Sequence, residues 1–149
     1  ADGADGADGS INEIFAVEKQ SSDYQTVTDN TYNKVAFTNE ISDVNSNFDT
    51  STGDFTAPSA GLYYFYANVT LTGTGVNHFV TLFYKNGSAL DNYRSIYKDT
   101  NQESVQAEIP IMGIIPLAQG NTVCVYAKAD VNSGSAVFQD GNFGGFKLA

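Results

Sequence analysis

From Ser10 onward no stretch of the chain repeats apolar residues at i, i+3, i+4 and i+7, the spacing an amphipathic helix uses to bury one face. Short runs rich in Val, Ile, Thr, Tyr and Phe take its place, separated by Gly, Asn, Asp and Ser. A chain of this kind satisfies its backbone polar groups by pairing strands, so an all-β fold is expected. The expected strands are 14–17, 34–37, 53–55, 61–71, 77–84, 105–117 with a candidate break at Pro110, 122–128 and 143–148. Lys85-Asn86-Gly87-Ser88 places Asn-Gly after a strongly apolar run, the signature of a type I′ hairpin turn. Gln119-Gly120-Asn121 also marks a chain reversal. Many short strands at this spacing point to a sandwich or barrel.

Composition bounds what such a sandwich does. With 149 residues, 42% of them hydrophobic, the chain suits one domain with a shared core. Ten Phe and nine Tyr against no Trp favour strands again. Net charge is −10 and the seven basic residues are scattered, which makes nucleic acid and anionic membranes poor partners. No run reaches the length of apolar residues that spans a bilayer, and the N-terminus lacks a basic region followed by an apolar one, so any secretion signal is read as already removed. The lone Cys124 sits among apolar neighbours and reads as a small buried hydrophobe.

Residues 1–9 are three Ala-Asp-Gly triplets, with Gly at every third place as a collagen triple helix requires. They are read as the end of a longer stem, a flexible Gly-rich leader being the alternative, and residues 10–149 as the head. In the head, Tyr63-Tyr64-Phe65-Tyr66-Ala67-Asn68-Val69 puts aromatics on both faces of one strand, where alternation ordinarily leaves one face polar. A strand buried on one face only has no use for the second set, so a neighbouring subunit is the economical cover.

At these residues the chain strongly resembles the globular head of the complement component 1q family, a ten-stranded antiparallel jelly-roll sandwich related to tumour necrosis factor. The resemblance runs through Phe37, Asp43, Phe48, Phe55, Gly61, Tyr63 and Phe65, with Thr52-Gly53-Asp54-Phe55-Thr56-Ala57-Pro58 inside it. Phe15-Ala16-Val17, the run 117–123 and Phe143-Gly144-Gly145-Phe146-Lys147-Leu148 extend it in order. Ala67 stands where the family has Phe or Tyr, and Asn121 where an Asp commonly follows the turn Gly. The resemblance implies a homotrimer, a secreted, extracellular home and a collagen-like stem before the head. It also implies calcium near the trimer apex, for which Asp99 and Glu103 are the candidate contributors and solvated surface acids the competing reading. No cofactor is required.

Phe37, Phe48, Phe55, Tyr63 and Phe65 are assigned to the sandwich core. Tyr64 and Tyr66, of opposite parity, are assigned to the trimer interface ahead of a sugar-stacking surface or ordinary exposure, with Val69 and Leu71 as extensions of their patch. The stretch 91–101 is either an irregular surface segment or a shallow glycan site in which Tyr93 or Tyr97 offers a ring face and Arg94 grips a carboxylate. His78 has no second His or Cys nearby and reads as a solvated or locally bonded strand residue rather than a metal ligand. Asn68 and Asn86 each begin a glycosylation acceptor triplet, Asn86 being the more accessible. No nucleophile-histidine-acid set, Walker loop or dinucleotide fingerprint appears, so the chain is expected not to be an enzyme.

The expected role is a secreted, innate-immune, lectin-like pattern-recognition protein that binds glycans or microbial surfaces multivalently. The alternatives are a structural extracellular-matrix or secreted scaffold protein and a cytokine-like receptor ligand.

Overall fold

A computed structural model describes residues 13–98 and 104–149; the glycine triplets 1–9, Asp99 and Glu103 lie outside them. The described residues contain strands, turns and bends and no helix. Twelve strand segments run β1 (Phe15–Lys19), β2 (Gln25–Thr26), β3 (Asn33–Lys34), β4 (Asn39–Asp43), β5 (Phe48–Asp49), β6 (Asp54–Thr56), β7 (Gly61–Thr74), β8 (Val76–Lys85), β9 (Ser88–Lys98), β10 (Ser104–Leu117), β11 (Thr122–Val131) and β12 (Ala136–Lys147). Twelve segments stand where ten strands are expected, three of them, β2, β3 and β5, being two-residue pairings at sheet margins.

All pairings are antiparallel, and two sheets form. The first runs β10-β7-β12-β1-β4 with β2 on β12, the second β5-β6-β11-β8-β9 with β3 on β11. This is the jelly-roll sandwich.

Alternation along β7 sets the layers. Tyr63, Phe65, Ala67, Val69 and Leu71 point inward and are at most 3% exposed, while Tyr64, Tyr66 and Asn68 face the other way, half-buried. Val69 and Leu71 therefore belong to the core and not to the tyrosine patch they were expected to extend: they share the parity of Tyr63, and a period of two admits no exception without a bulge. Inside, Phe15 gathers rings from both sheets, with centroids 4.8 Å from Phe55, 4.9 Å from Phe143 and 5.5 Å from Phe48. Phe65 adds contacts at 5.3 Å to Phe55 and 6.0 Å to Phe143.

Local chemistry explains the connections. Asn86 and Gly87 take φ of 49° and 76°, the two positive values a type I′ turn demands, and join β8 to β9. The segment around Gly120 (φ 81°) carries the chain from the first sheet to the second. Asp43 accepts the backbone N–H groups of Asn47 and Phe48 and closes the turn into β5. β10 continues through Pro110 without a break. It forms the edge of its sheet, where a residue can turn its nitrogen away from the ladder, so a missing donor leaves no gap.

Replacing Phe65 with Ala removes a fully buried ring that touches both sheets. The expected loss of stability is about 3–5 kcal/mol, from lost transfer energy and the cavity left behind. Denaturant unfolding of the variant beside the parent protein measures it, and an unchanged midpoint contradicts the core assignment.

Candidate functional site

The outward face of the first sheet is apolar at one end. Leu62, Met112 and Ile114 are 44%, 61% and 48% exposed, and half-buried Tyr64, Tyr66 and Phe146 lie among them. Register explains the grouping: Met112 pairs with Tyr66 and Ile114 with Tyr64 on one side, Gly144 and Phe146 with the same two tyrosines on the other. The Tyr64 ring packs 5.4 Å from Phe146, and its hydroxyl donates to Met112 Sδ at 3.8 Å. Tyr66 lies across Gly144, where an added Cβ would come within 2.4 Å of its hydroxyl. Toward the other end the same face turns polar, with Asn68, Glu108, Asp140 and Asn142. There Asn68 donates to Glu108 at 3.4 Å, while its Oδ1 is buried without a partner.

The three residues expected at a glycan site all lie on β9. Residues 94–98 pair with β8 at the edge of the second sheet, a pairing specified by position and not by their own polar composition, whereas 90–93 leave the ladder in an irregularity between Leu82 and Tyr84. Tyr93 and Arg94 line a shallow cleft of about 150 Å³ between β9 and β10, with Asn92, Pro110 and Met112. The Tyr93 ring covers Gly113, where an added Cβ would meet it at 2.3 Å, and its hydroxyl donates to the Ile114 carbonyl at 2.7 Å. It is a strut between the two edge strands. Arg94 stays 47% exposed, 3.7 Å from Asp91. Tyr97 is turned to the face of Phe79, stacked at 6.0 Å, and is 37% exposed. The structure thus brings Tyr93 and Arg94 to one cleft and leaves Tyr97 outside its lining.

A cluster the sequence reading passed over lies on the outward face of the second sheet. Tyr84, opposite Cys124, and Tyr126, opposite Leu82, stack at 3.9 Å, and Tyr32 meets Tyr84 edge-on at 6.2 Å. Nothing in the sequence joins positions 32, 84 and 126. The adjacent Lys34–Asp54 pair at 2.7 Å covers Cys124. Burial pushes the Cys124 thiol up to about 12, and the pull of Lys34 in the other direction is smaller. Elsewhere His78 Nδ1 lies 3.3 Å from Asp130, a local pair. Among the described residues no group of three His, Cys, Asp or Glu could hold a metal.

A family model for the C1q domain matches residues 15–148. The chain belongs to the C1q domain family. Two solved structures share the fold of this C1q domain. The globular domain of zebrafish complement 1qA protein superposes with a TM-score of 0.67 at 19% identity, covering 93% of this chain and 98% of that one. The Eiger TNF of S. frugiperda superposes with a TM-score of 0.69 at 13% identity, over 92% of this chain and 94% of that one. None of the curated proteins matches the chain by sequence. Domains of this family are binding and structural modules, trimeric and extracellular as a rule.

The raised thiol predicts both reactivity and pH response. A folded-state value above the unfolded one leaves its contribution intact below the unfolded thiol's range and removes it as pH climbs toward 12. At pH 8 the folded protein should therefore resist iodoacetamide, and the urea-unfolded chain should react at its single cysteine. Mass spectrometry of both samples checks this; labelling of the folded protein at the unfolded rate contradicts it.

Proposed function

We propose that this C1q domain is the trimeric head of a secreted, non-enzymatic recognition protein. On this reading it binds glycans or other patterned surfaces multivalently, as an innate-immune lectin-like molecule behind a collagen-like stem of which residues 1–9 are the end. The observation that carries the assembly is the apolar face around Tyr64, Tyr66, Leu62, Met112 and Ile114, which a solitary sandwich leaves in water. Tyrosine suits a shared surface, since its ring loses area to a partner while its hydroxyl keeps a hydrogen bond. The β9–β10 cleft with Arg94 and Tyr93 is the proposed sugar contact, and Tyr97 flanks it.

Substituting Tyr66 with Asp puts a carboxylate where its hydration is lost on assembly, a cost of several kcal/mol. Sedimentation at micromolar concentration is expected to give a trimer for the parent and a monomer for the variant. A monomeric parent, or an unaltered trimeric variant, removes the assignment.

A shallow cleft binds weakly, because few groups leave water while the ordering cost remains. Three heads on one stem make later contacts intramolecular and raise avidity by roughly 10²–10⁴ where the geometry allows. Weak binding to free monosaccharide and much tighter binding to a densely glycosylated surface are expected. That difference should vanish in the monomeric variant. Equal affinity of monomer and trimer for the dense surface rules out the mechanism.

A further inference from the structure

The outward face of the second sheet lies across the sandwich from the apolar face of the first, so trimer assembly leaves it in water. Its surface is roofed rather than bare. Leu82 and Val80, whose parity points them away from the core, are 0% and 5% exposed, and the tyrosines Tyr84, Tyr126 and Tyr32 lie on the same face around them. Three rings gathered from a loop and two strands, each half-exposed, give a platform with apolar ring surface and phenol hydroxyls at its rim.

Beside this platform stands Lys128. Three other basic groups of the face have a carboxylate: Lys34 has Asp54 at 2.7 Å, Arg94 has Asp91 at 3.7 Å, and His78 has Asp130 at 3.3 Å. Lys128 has none among the described residues. Its ammonium sits 5.0 Å from the centroid of the Tyr32 ring and donates to the neutral Asn30 Oδ1 at 3.1 Å. A chain of net charge −10 has acids to spare for pairing, yet this ammonium is held in place by a ring and an amide. An amide and a π face position a cation without neutralising it.

We infer that Tyr32, Tyr84, Tyr126 and Lys128 form a second glycan site, one for sugars that carry a carboxylate. The rings take the apolar face of the sugar and Lys128 takes its acid group, with Asn30 offering an amide to neighbouring hydroxyls. This site rests on the reading of the head as a glycan-binding module but is separate from the β9–β10 cleft. Three copies, one on the outside of each subunit, suit a repetitive acidic polymer. Uronic acid and sialic acid present the same carboxylate-on-ring chemistry, and the experiment separates them.

The whole protein is passed over immobilised hyaluronan, polysialic acid and neutral mannan, with the parent compared with Lys128→Gln, Tyr126→Leu and Arg94→Gln. Sedimentation and thermal melts establish that each variant is folded and trimeric before binding is read. Lys128→Gln should lower retention on one or both acidic polymers about tenfold, the worth of one charge-assisted hydrogen bond, and should flatten its salt dependence. Tyr126→Leu should weaken binding without changing that salt dependence. Arg94→Gln should remove only the share of acidic-polymer binding that the β9–β10 cleft supplies and leave the effect of Lys128→Gln in place. Which polymer responds identifies the acid. Parent-like binding by Lys128→Gln and Tyr126→Leu, with loss in Arg94→Gln, overturns this site and keeps the glycan reading in the cleft. Retention on mannan alone overturns the acid preference. Retention on none of the three sinks the site and the glycan reading together.

Discussion

Two sheets become one domain here through the cluster of phenylalanines around Phe15. Its ring lies within 6.1 Å of Phe48, Phe55, Phe65 and Phe143, which come from both layers. Offset, tilted and edge-on arrangements of this kind add specific attraction to the area each ring removes from water. The cluster also dictates register. Moving β7 by one residue would bring Tyr64 and Tyr66 inward and push Phe65 into solvent, so the inner packing enforces which residues are left for the outside.

The outer faces then differ because the residues left over differ. On the first sheet they are Leu62, Tyr64, Tyr66, Met112, Ile114 and Phe146, an apolar area open to water in the single chain. On the second they are Tyr32, Tyr84 and Tyr126, which stand together beside Lys34 and Lys128. A sandwich with one apolar exterior and one polar aromatic exterior has a side suited to its own copies and a side that remains free for something else. Several glycines hold these surfaces close. Gly144 lets Tyr66 lie flat on the sheet, and Gly113 does the same for Tyr93 across the sandwich edge.

Much of the architecture was legible because it is written in local patterns. Asn86-Gly87 announces its turn through positive φ at both residues, and the alternation of β7 announces its buried set. Reading failed where neighbours in space overrule neighbours in sequence. Residues 94–98 carry polar side chains yet pair as strand, since β8 supplies their partners. Pro110 looks like a break until β10 is known to lie at a sheet edge. Val69 and Leu71 were given to the wrong face although their parity with Tyr63 was already visible.

By itself the sequence determined the strand-forming runs, the hairpin at Asn86 and the inward aromatics, because each depends on a period of two or on the backbone freedom of one or two residues, and it pointed to the fold family through its resemblance to the complement component 1q head. Tertiary structure alone decided which exposed side chains stand together. Tyr32, Tyr84 and Tyr126 come from separate segments, and only the pairing of β8 with β11 and the return of the loop before β3 make them neighbours. Tyr93 and Tyr97, read from sequence as companions of Arg94, are directed by the pleat of β9 to the struts and stacks of the inner side. Surface constellations are set by register between strands, and register is a property of the packed whole.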